Sequence, residues 1–356
     1  MNHFDSDPRT AIEAKCEAQR LAFAPFMFQA ARILRDHGLL EALRQSGTRG
    51  LTLDELTTGR DLPAYAVKIL IEAALGIGLA CLKGDRFTLT KVGYFVLRDP
   101  MTRVNMDVVH HVCYRGMFLL EESLREGKPA GLKTLGDWDR LYEGLSSLPP
   151  VARDSWFTFD HFYSDQAFPA VLPMVFARKP KRILDVGGNT GKWAVQCARF
   201  DPEVRITVVD IPEQIALLQT TLKEEGLGDR IEGIAMNVLD PGTTLPGGHD
   251  LIWMSQFLDC FSTDQIVSIL KRAREAMDDT ADLCILDLFW DRQPNETAAF
   301  CLQQTSLYFA CIANGCSQMY HSRDLLACLE EAGLEVVEDR DEVGHYHTLL
   351  RCRRRP

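Results

Sequence analysis

Apolar and polar positions divide the chain into a helical first half and a second half in which strands alternate with helices. From residue 181 onward, short runs of Val, Ile and Leu recur between amphipathic segments. Strands are predicted near residues 182–186, 205–210, 231–237, 250–256, 281–289, 335–341 and 347–353. Because only Gly344 and its neighbours separate the last two, they are expected to form an antiparallel hairpin. This pattern predicts an α/β fold with a Rossmann-like, doubly wound, mainly parallel seven-stranded sheet.

The region before the sheet has a helical pattern with one two-stranded element. Residues 11–37 form a long helical pattern, and its apolar segment 21–28 is too hydrophobic for a free surface helix. Thr52 is expected to cap a short helix that begins at residue 53. After a second helix, residues 78–82 and 87–90 predict a two-stranded wing. The pattern indicates a winged helix, and the apolar segment is expected to pack against another subunit.

Many winged helices bind DNA, so that function is an alternative. The helix predicted from Pro63 to about Leu75 carries only Lys68 and Glu72 as charges. A helix that reads a DNA groove needs several Arg, Lys, Asn or Gln side chains for phosphates and bases. Dimerisation is therefore predicted for this region in preference to DNA binding.

Residues 100–168 have a broken helical pattern that is dense in aromatic residues and histidines. A segment that covers a pocket needs apolar walls and a few polar groups. The candidates for substrate contact are Trp156, Phe159, Phe162 and Tyr163 in this segment and Tyr320 further along the chain. An ordinary helical core is the alternative interpretation of the same pattern.

The stretch Arg182–Gly191, with the sequence RILDVGGNTG, is predicted to be a buried strand followed by a Gly-rich turn and a helix. A dinucleotide site with the pattern G-x-G-x-x-G would require Gly at position 186 if its last two glycines were Gly188 and Gly191. Val186 occupies that position. The turn is therefore predicted to hold a small molecule other than a dinucleotide.

Two acidic residues end successive strands. Asp185 would repel a pyrophosphate but attract the ammonium of an amino-acid-like ligand. Asp210 ends the next strand about 20 residues later, which is the spacing expected for a carboxylate that binds ribose hydroxyls. S-adenosylmethionine, a nucleoside with an amino-acid tail, explains both acids and is the predicted cofactor.

Composition adds limits to this picture. The chain has 356 residues, a formal net charge of −11 and 11 scattered cysteines. These features predict a cytoplasmic protein with reduced thiols, no membrane segment, no metal site and no nucleic-acid partner. The one local basic cluster, Arg351 with residues 353–355, is expected to be a solvated tail.

Four stretches resemble the class I S-adenosylmethionine-dependent methyltransferases, and within them the small-molecule O-methyltransferases of the caffeate type. They are Leu184–Gly191, Val209–Pro212, Asn237 with Val238, and Met254–Ser262. The resemblance implies cofactor contacts by Gly187, Gly188, Gly191, Asp210, Ile211, Asn237 and Val238, and by Ser255 or Gln256 near the carboxylate. It also implies a homodimer formed through the winged-helix region. The implied domains are residues 1–105 for dimerisation, 106–178 as a helical connector over the substrate pocket, and 179–356 for methyl transfer.

The chain departs from this family at the general base. Where plant enzymes of the family read Leu-His-Asp-Trp, with the His as base, this chain reads Leu-Asp-Cys-Phe from Leu258. Proton transfer from a phenol to an unperturbed Asp is uphill by about six pKa units. Asp259 is thus either a general base with a raised pKa or a helix cap. In the second case the base is another residue, such as His111, His161 or His321, or the acceptor needs little assistance from a base.

Three functions follow from these residues. The first is methylation of an aromatic hydroxyl of a small molecule in secondary-metabolite or pigment tailoring, with methylation of an electron-rich carbon as its variant. The second is a non-methylating relative, a hydroxylase or decarboxylase, that retains the cofactor. The third is a winged-helix regulator that senses the cofactor.

Overall fold

The computed structural model describes residues 4–344 and 346–355. Within them the chain forms two compact units, residues 4–109 and residues 110–355. Among the described residues, no helix has both the length and the apolar character needed to cross a membrane. The predicted division at residues 105 and 178 stays a prediction.

The first unit is a small helical domain with a two-stranded wing. Its elements are α1 Ala11–Ala22, α2 Ala24–Asp36, α3 Leu39–Ser46, α4 Leu53–Thr57, α5 Ala64–Gly76, β1 Ala80–Lys83, β2 Arg86–Leu89, α6 Lys91–Arg98 and α7 Pro100–Val108. Thr52 caps α4 as predicted, and it forms a reciprocal capping box with Glu55. The wing strands pair antiparallel from Ala80 opposite Leu89 to Lys83 opposite Arg86.

The helical pattern predicted over residues 11–37 forms two helices, which are separated at Phe23. Pro25 lies in the first turn of α2. There its missing N–H costs nothing, whereas within one continuous helix its ring would clash with the preceding turn. Leu21, Phe23 and Phe26 at this junction remain 75%, 58% and 72% exposed.

The second unit contains the seven-stranded sheet. It consists of α8 Leu120–Glu126, α9 Pro150–Phe176, β3 Arg182–Val186, α10 Lys192–Phe200, β4 Arg205–Asp210, α11 Pro212–Glu225, β5 Ile231–Ala235, β6 Leu251–Ser255, α12 Thr263–Ala276, β7 Asp282–Asp287, α13 Glu296–Tyr308, α14 Ser322–Glu331, β8 Leu334–Val343 and β9 His347–Arg354. Short 3-10 and π-helical turns occupy much of the region before α9.

The strand order is β5-β4-β3-β6-β7-β9-β8. The first five strands are parallel, and β9 pairs antiparallel with both β7 and β8, which confirms the predicted sheet and its closing hairpin. Hydrophobic side chains cover both faces: Leu184 and Val186 belong to one core cluster, and Ile183 belongs to the other. Strand order reverses between β3 and β6, so the crevice beyond these two strand ends is where such sheets bind ligands.

The expected solvated tail at Arg351 is wrong. Arg351 lies within β9 and is 2% exposed. Its guanidinium donates to the carboxylates of Asp282 and Glu338, at 3.0 Å each. Arg353 also binds Asp282, at 2.9 Å. The antiparallel pairing of β9 with β7 turns this basic cluster towards a buried carboxylate, which sequence spacing alone does not show.

Candidate functional site

The Gly-rich turn after β3 requires its glycines. Gly187 and Gly191 have φ angles of +77° and +82°, which side chains of L-residues rarely adopt. A Cβ on Gly187 would lie 2.1 Å from the Phe257 ring, and one on Gly191 would lie 2.2 Å from the Leu218 side chain. Glycine at these positions therefore lets the backbone of the turn stay close to its neighbours and opens the start of α10 to a ligand.

Asp185 lies beneath this turn and is 2% exposed. Burial, and secondarily the negative charge of Asp210, raises the pKa of Asp185 to about 8. Its Oδ2 has no hydrogen-bond partner, and a Cβ on Gly188 would lie 2.6 Å from that oxygen. A cationic ligand group would both pair with this carboxylate and favour its ionised form.

Asp210 ends β4 beside the same turn. Its carboxylate accepts hydrogen bonds from the backbone amides of Asn189 and Ile211, at 2.8 Å each. Burial raises the pKa of Asp210 to about 6, against the lowering effect of these two amides. The remaining lone pairs of the carboxylate can accept from hydroxyl donors, and the contact of Asp210 with a ribose stays a prediction.

A pocket of about 460 Å³, its open mouth included, lies beyond the ends of β3 and β6. Seven residues that line it carry buried polar side-chain atoms without a hydrogen-bond partner. They are Asp185, Asn189, Thr190, Trp193, Trp253, Ser255 and Gln256. Because buried polar groups are normally paired, this cluster indicates a ligand with both donors and acceptors. The zwitterionic end of S-adenosylmethionine has both, so the residues fit the predicted cofactor.

Two of the residues expected at the adenine, Asn237 and Val238, lie on the loop after β5, and the third, Ile211, follows β4. Asn237 donates to Asp240 at 2.9 Å, and its Oδ1 accepts from the amide of Leu239 at 3.0 Å. Val238 is 8% exposed and packs in the hydrophobic core. Ile211 directly precedes α11. Their contacts with adenine stay predictions.

Helix α9 runs along the mouth of this pocket. Asp160, Ser164 and Phe168, four residues apart and hence on one helix face, line it. Asp160 accepts a hydrogen bond from the Asn189 amide at 3.0 Å, and Asp165 pairs with Lys192 at 2.6 Å. These two contacts fasten α9 to the Gly-rich turn and to the first turn of α10.

The same helix face continues to Trp156, which lies among aromatic and sulfur-containing groups. The Trp156 indole donates to the Tyr308 hydroxyl at 2.7 Å, and the Tyr142 hydroxyl donates to Cys260 Sγ at 3.1 Å. Tyr142 and Trp156 also meet edge to face, with ring centroids 6.3 Å apart. Burial raises the pKa of both tyrosines, so both remain neutral hydrogen-bonding groups.

Asp259 lies beside Cys260 and is 6% exposed. Burial raises its pKa to about 6, against the lowering effect of the Cys260 thiol, which donates to it at 3.6 Å. The neighbouring Asp287 is more strongly affected: burial and the charge of Asp259 hold its pKa well above the usual range. Burial and the charges of Asp259 and Asp165 likewise raise the pKa of Asp160 to about 7. Asp259 thus interacts electrostatically with two other carboxyl groups whose pKa is raised, those of Asp160 and Asp287.

The three candidate histidines differ in position. His161 lines the pocket, but burial and the adjacent Lys192 lower its pKa to about 4. His111 hydrogen-bonds to Ser155 at 2.7 Å. His321 caps α14 by accepting from the amide of Arg323 at 3.2 Å. Only His161 of the three is at the pocket, and its low pKa makes it a weaker proton acceptor than Asp259.

The remaining predicted substrate contacts lie away from the pocket lining. Phe159 and Phe162 each pack edge to face on Tyr163, with centroids 5.5 and 5.4 Å apart. Tyr320 is 6% exposed and donates to the backbone carbonyl of Phe261 at 2.6 Å. Their contact with a substrate stays a prediction.

Sequence reasoning missed several residues at the site, namely Asp160, Asn189, Trp193, Trp253 and Asp287. A signal existed for Asp160, which is the acid inside the aromatic segment 156–163. The tryptophans gave none, because an apolar aromatic in a helix or a buried strand is the ordinary pattern of a core. In the described part of the chain, no group of three or more His, Cys, Asp or Glu side chains is arranged to hold a metal ion.

Each of the two units contains a segment that matches a known family of protein domains. Residues 15–87 match the model of a Dimerisation2-like domain, and residues 169–335 match that of an O-methyltransferase domain. The L-tyrosine C(3)-methyltransferase of Streptomyces lavendulae is 22% identical over 88% of this chain and 85% of its own length. The mitomycin biosynthesis 6-O-methyltransferase of the same organism is 26% identical over 93% of this chain and 92% of its own length.

Among solved structures, the apo form of the S-adenosylmethionine-dependent methyltransferase SibL is 25% identical, with a TM-score of 0.72. The alignment covers 96% of this chain and 99% of that protein. An alignment of this length includes residues of both units. This chain accordingly combines a Dimerisation2-like domain with an O-methyltransferase domain, and its relatives are S-adenosylmethionine-dependent methyltransferases.

Proposed function

We propose that this protein transfers a methyl group from S-adenosylmethionine to the hydroxyl of a small aromatic molecule. The observation that carries the proposal is the position of Asp259. This buried carboxyl group occupies the family's base position, beside Cys260 and its partner Tyr142. The α9 face with Trp156 and Asp160 connects this aromatic space to the cofactor pocket.

The side chains of this protein would bind the cofactor, orient the acceptor and remove its proton. Asp185 would bind the ammonium of the cofactor and Asp210 its ribose hydroxyls. Trp156 with its neighbours would provide a flat apolar wall for an aromatic ring. S-adenosylmethionine supplies a methyl group on a sulfonium that is its own leaving group. What remains for the protein is to hold the acceptor in line with that methyl in a water-poor space and to accept its proton.

The raised pKa of Asp259 reduces the cost of the proton transfer. Between an unperturbed phenol near 10 and a carboxyl group at about 6, transfer is uphill by about four units, or roughly 5 kcal/mol. An unperturbed carboxyl group would cost about 8 kcal/mol. Burial thereby recovers about a third of the cost, and deprotonation concerted with methyl transfer would lower it further.

A ring carbon next to a phenolic hydroxyl is the second candidate acceptor. The match to an L-tyrosine C(3)-methyltransferase over 88% of this chain favours it. The same deprotonation would serve this reaction, because a phenolate is nucleophilic at carbon as well as at oxygen. The match to a mitomycin biosynthesis 6-O-methyltransferase over 93% of the chain favours oxygen. The relative named for mitomycin biosynthesis also supports a role in secondary metabolism.

The protein is also proposed to be a homodimer through its first unit. Residues 15–87 match a Dimerisation2-like domain. Within this unit Leu21, Phe23 and Phe26 are more than half exposed, and the rings of Phe23 and Phe26 lie with their centroids 6.0 Å apart. Exposed apolar side chains that lie close together are typical of a protein interface. Lys68 and Glu72, the charges on α5, pair with each other at 4.0 Å. This pairing leaves little positive charge on the helix for binding DNA phosphates.

Isotope labelling decides the acceptor. The protein would be incubated with S-adenosylmethionine carrying a ¹³C-methyl group and a panel of phenols, aminophenols and hydroxynaphthoates. Carbon NMR of the product distinguishes a methoxy group from a methyl group on a ring carbon. Methoxy products support the proposal and ring-methyl products the second candidate. Transfer to no member of the panel, with cofactor binding intact by calorimetry, would favour a non-methylating relative.

A further inference from the structure

Two tryptophans lie at the bottom of the cofactor pocket. Trp193 belongs to the first turn of α10 and Trp253 to the middle of β6. Their rings are stacked, with centroids 4.2 Å apart and an interplanar angle of 18°. They are 3% and 0% exposed. Phe168 of α9 packs against Trp193, so the stack is held from the other side as well.

Both indole N–H groups lack an acceptor. Each Nε1 is buried without a hydrogen-bond partner, and both residues line the pocket. Leaving a buried donor unpaired costs about 1–3 kcal/mol. An indole nitrogen can only donate, so the group that satisfies it has to be an acceptor. A purely structural role for the stack would not need two unpaired donors at the wall of a ligand site.

The sheet places this stack next to the carboxylate expected to bind the cofactor's ammonium. Trp253 is the register partner of Asp185 in the parallel β3–β6 pair, so their side chains leave the same face of the sheet. Asp210, expected at the ribose, ends β4, on the opposite side of β3. The Asp185 carboxylate, an acceptor, and the two indole donors therefore lie together where the strand order reverses between β3 and β6.

We propose that the Trp193–Trp253 stack binds the amino-acid end of the cofactor, with its indole N–H groups donating to the carboxylate while Asp185 accepts from the ammonium. Among the cofactor's acceptors, only this carboxylate is adjacent to an ammonium. Lys192 also lines the pocket, but its ammonium is paired with Asp165 at 2.6 Å. The indole N–H groups thereby act as neutral donors. Their desolvation costs less than that of a charged side chain, and they do not repel the positive charges of the cofactor.

The test compares two ligands that differ only in the carboxylate. The dissociation constants of S-adenosylmethionine and of decarboxylated S-adenosylmethionine would be measured by calorimetry for the full-length protein and for the Trp193→Phe and Trp253→Phe variants. Loss of a charge-assisted hydrogen bond worth about 1.4 kcal/mol or more raises the dissociation constant at least tenfold. We expect at least one variant to bind S-adenosylmethionine about tenfold more weakly and the decarboxylated form within about threefold of the parent.

Trp138→Phe is the matched control, because Trp138 packs on Gly136 and Gly144 and does not line the pocket. It should bind both ligands as the parent does. Equal weakening for both ligands would show that the stack contributes shape only, and unchanged binding in both pocket variants would show that water satisfies the donors. Either result overturns the proposal.

A second measurement covers a variant that does not fold. In protein labelled with ¹⁵N-tryptophan, the indole N–H resonances would be recorded with S-adenosylhomocysteine and with methylthioadenosine, which lacks the amino-acid end. We expect two of the five indole resonances to move downfield with the first ligand only. Identical spectra with the two ligands would contradict carboxylate binding independently of any substitution.

Discussion

Replacing Asp259 by Asn should slow methyl transfer and stabilise the fold at the same time. The side chain keeps its shape and its Oδ1 acceptor for the Cys260 thiol, but it loses the ability to ionise. General-base catalysis typically contributes 10²–10⁴-fold, so kcat/KM for a phenolic acceptor should fall by about that factor. In the parent protein kcat/KM should decline below pH of about 6, where Asp259 becomes protonated. The variant's residual activity should lack that decline.

The stability effect follows from the pKa in the two states. The pKa of Asp259 is raised from 3.8 to about 6 on folding, so the native state favours the protonated acid. Below pH of about 4 the Asp259 carboxyl group is protonated in both states, so it does not lower the free energy of unfolding. As the pH rises from about 4 through 6, the unfolded state ionises more readily than the native state, and this stability is lost. The penalty that Asn removes is roughly 3 kcal/mol at pH 8 and about half of that at pH 5.

Urea unfolding at the two pH values measures this difference. Asp279→Asn is the control, because that side chain is fully exposed and should show no such effect. Equal stabilisation of Asp259→Asn at pH 5 and pH 8, or unchanged methyl transfer with the same pH profile, would refute the assignment. A large loss of activity in Asp160→Asn instead would place the base on α9, where the pKa is about 7.

Three further outcomes test the turn, the interface and the buried arginine. Gly187→Ala should weaken cofactor binding at least about tenfold by calorimetry, because its Cβ would lie 2.1 Å from a ring carbon and its φ is +77°, whereas Gly228→Ala, with open space around it, should bind normally. Phe26→Glu should convert the dimer into monomer in light scattering, whereas Phe118→Glu, at a 93% exposed position of the other unit, should leave the mass unchanged. Arg351→Ala should lower the free energy of unfolding in urea by about 3 kcal/mol, because it leaves a buried carboxylate short of one partner.

The sequence alone determined the sheet and the identity of the cofactor. Runs of β-branched residues mark buried parallel strands, and the strand–Gly-turn–helix stretch with Asp185 and Asp210 specifies a nucleoside with an amino-acid tail. These signals are local: each depends on a few consecutive residues or on one fixed spacing. The capping box at Thr52 was predictable for the same reason.

Only the tertiary structure decided which side chains share the site. Asp160 reaches the Gly-rich turn because α9 crosses the carboxyl ends of the strands, and Trp193 meets Trp253 because β6 lies beside β3. Arg351 is buried because β9 pairs with β7. The pKa values of Asp185 and Asp259 likewise depend on burial and on charges far apart in sequence. Burial and long-range proximity are set by packing, so a pattern read along the chain predicts the elements but not the chemistry of the groups that they bring together.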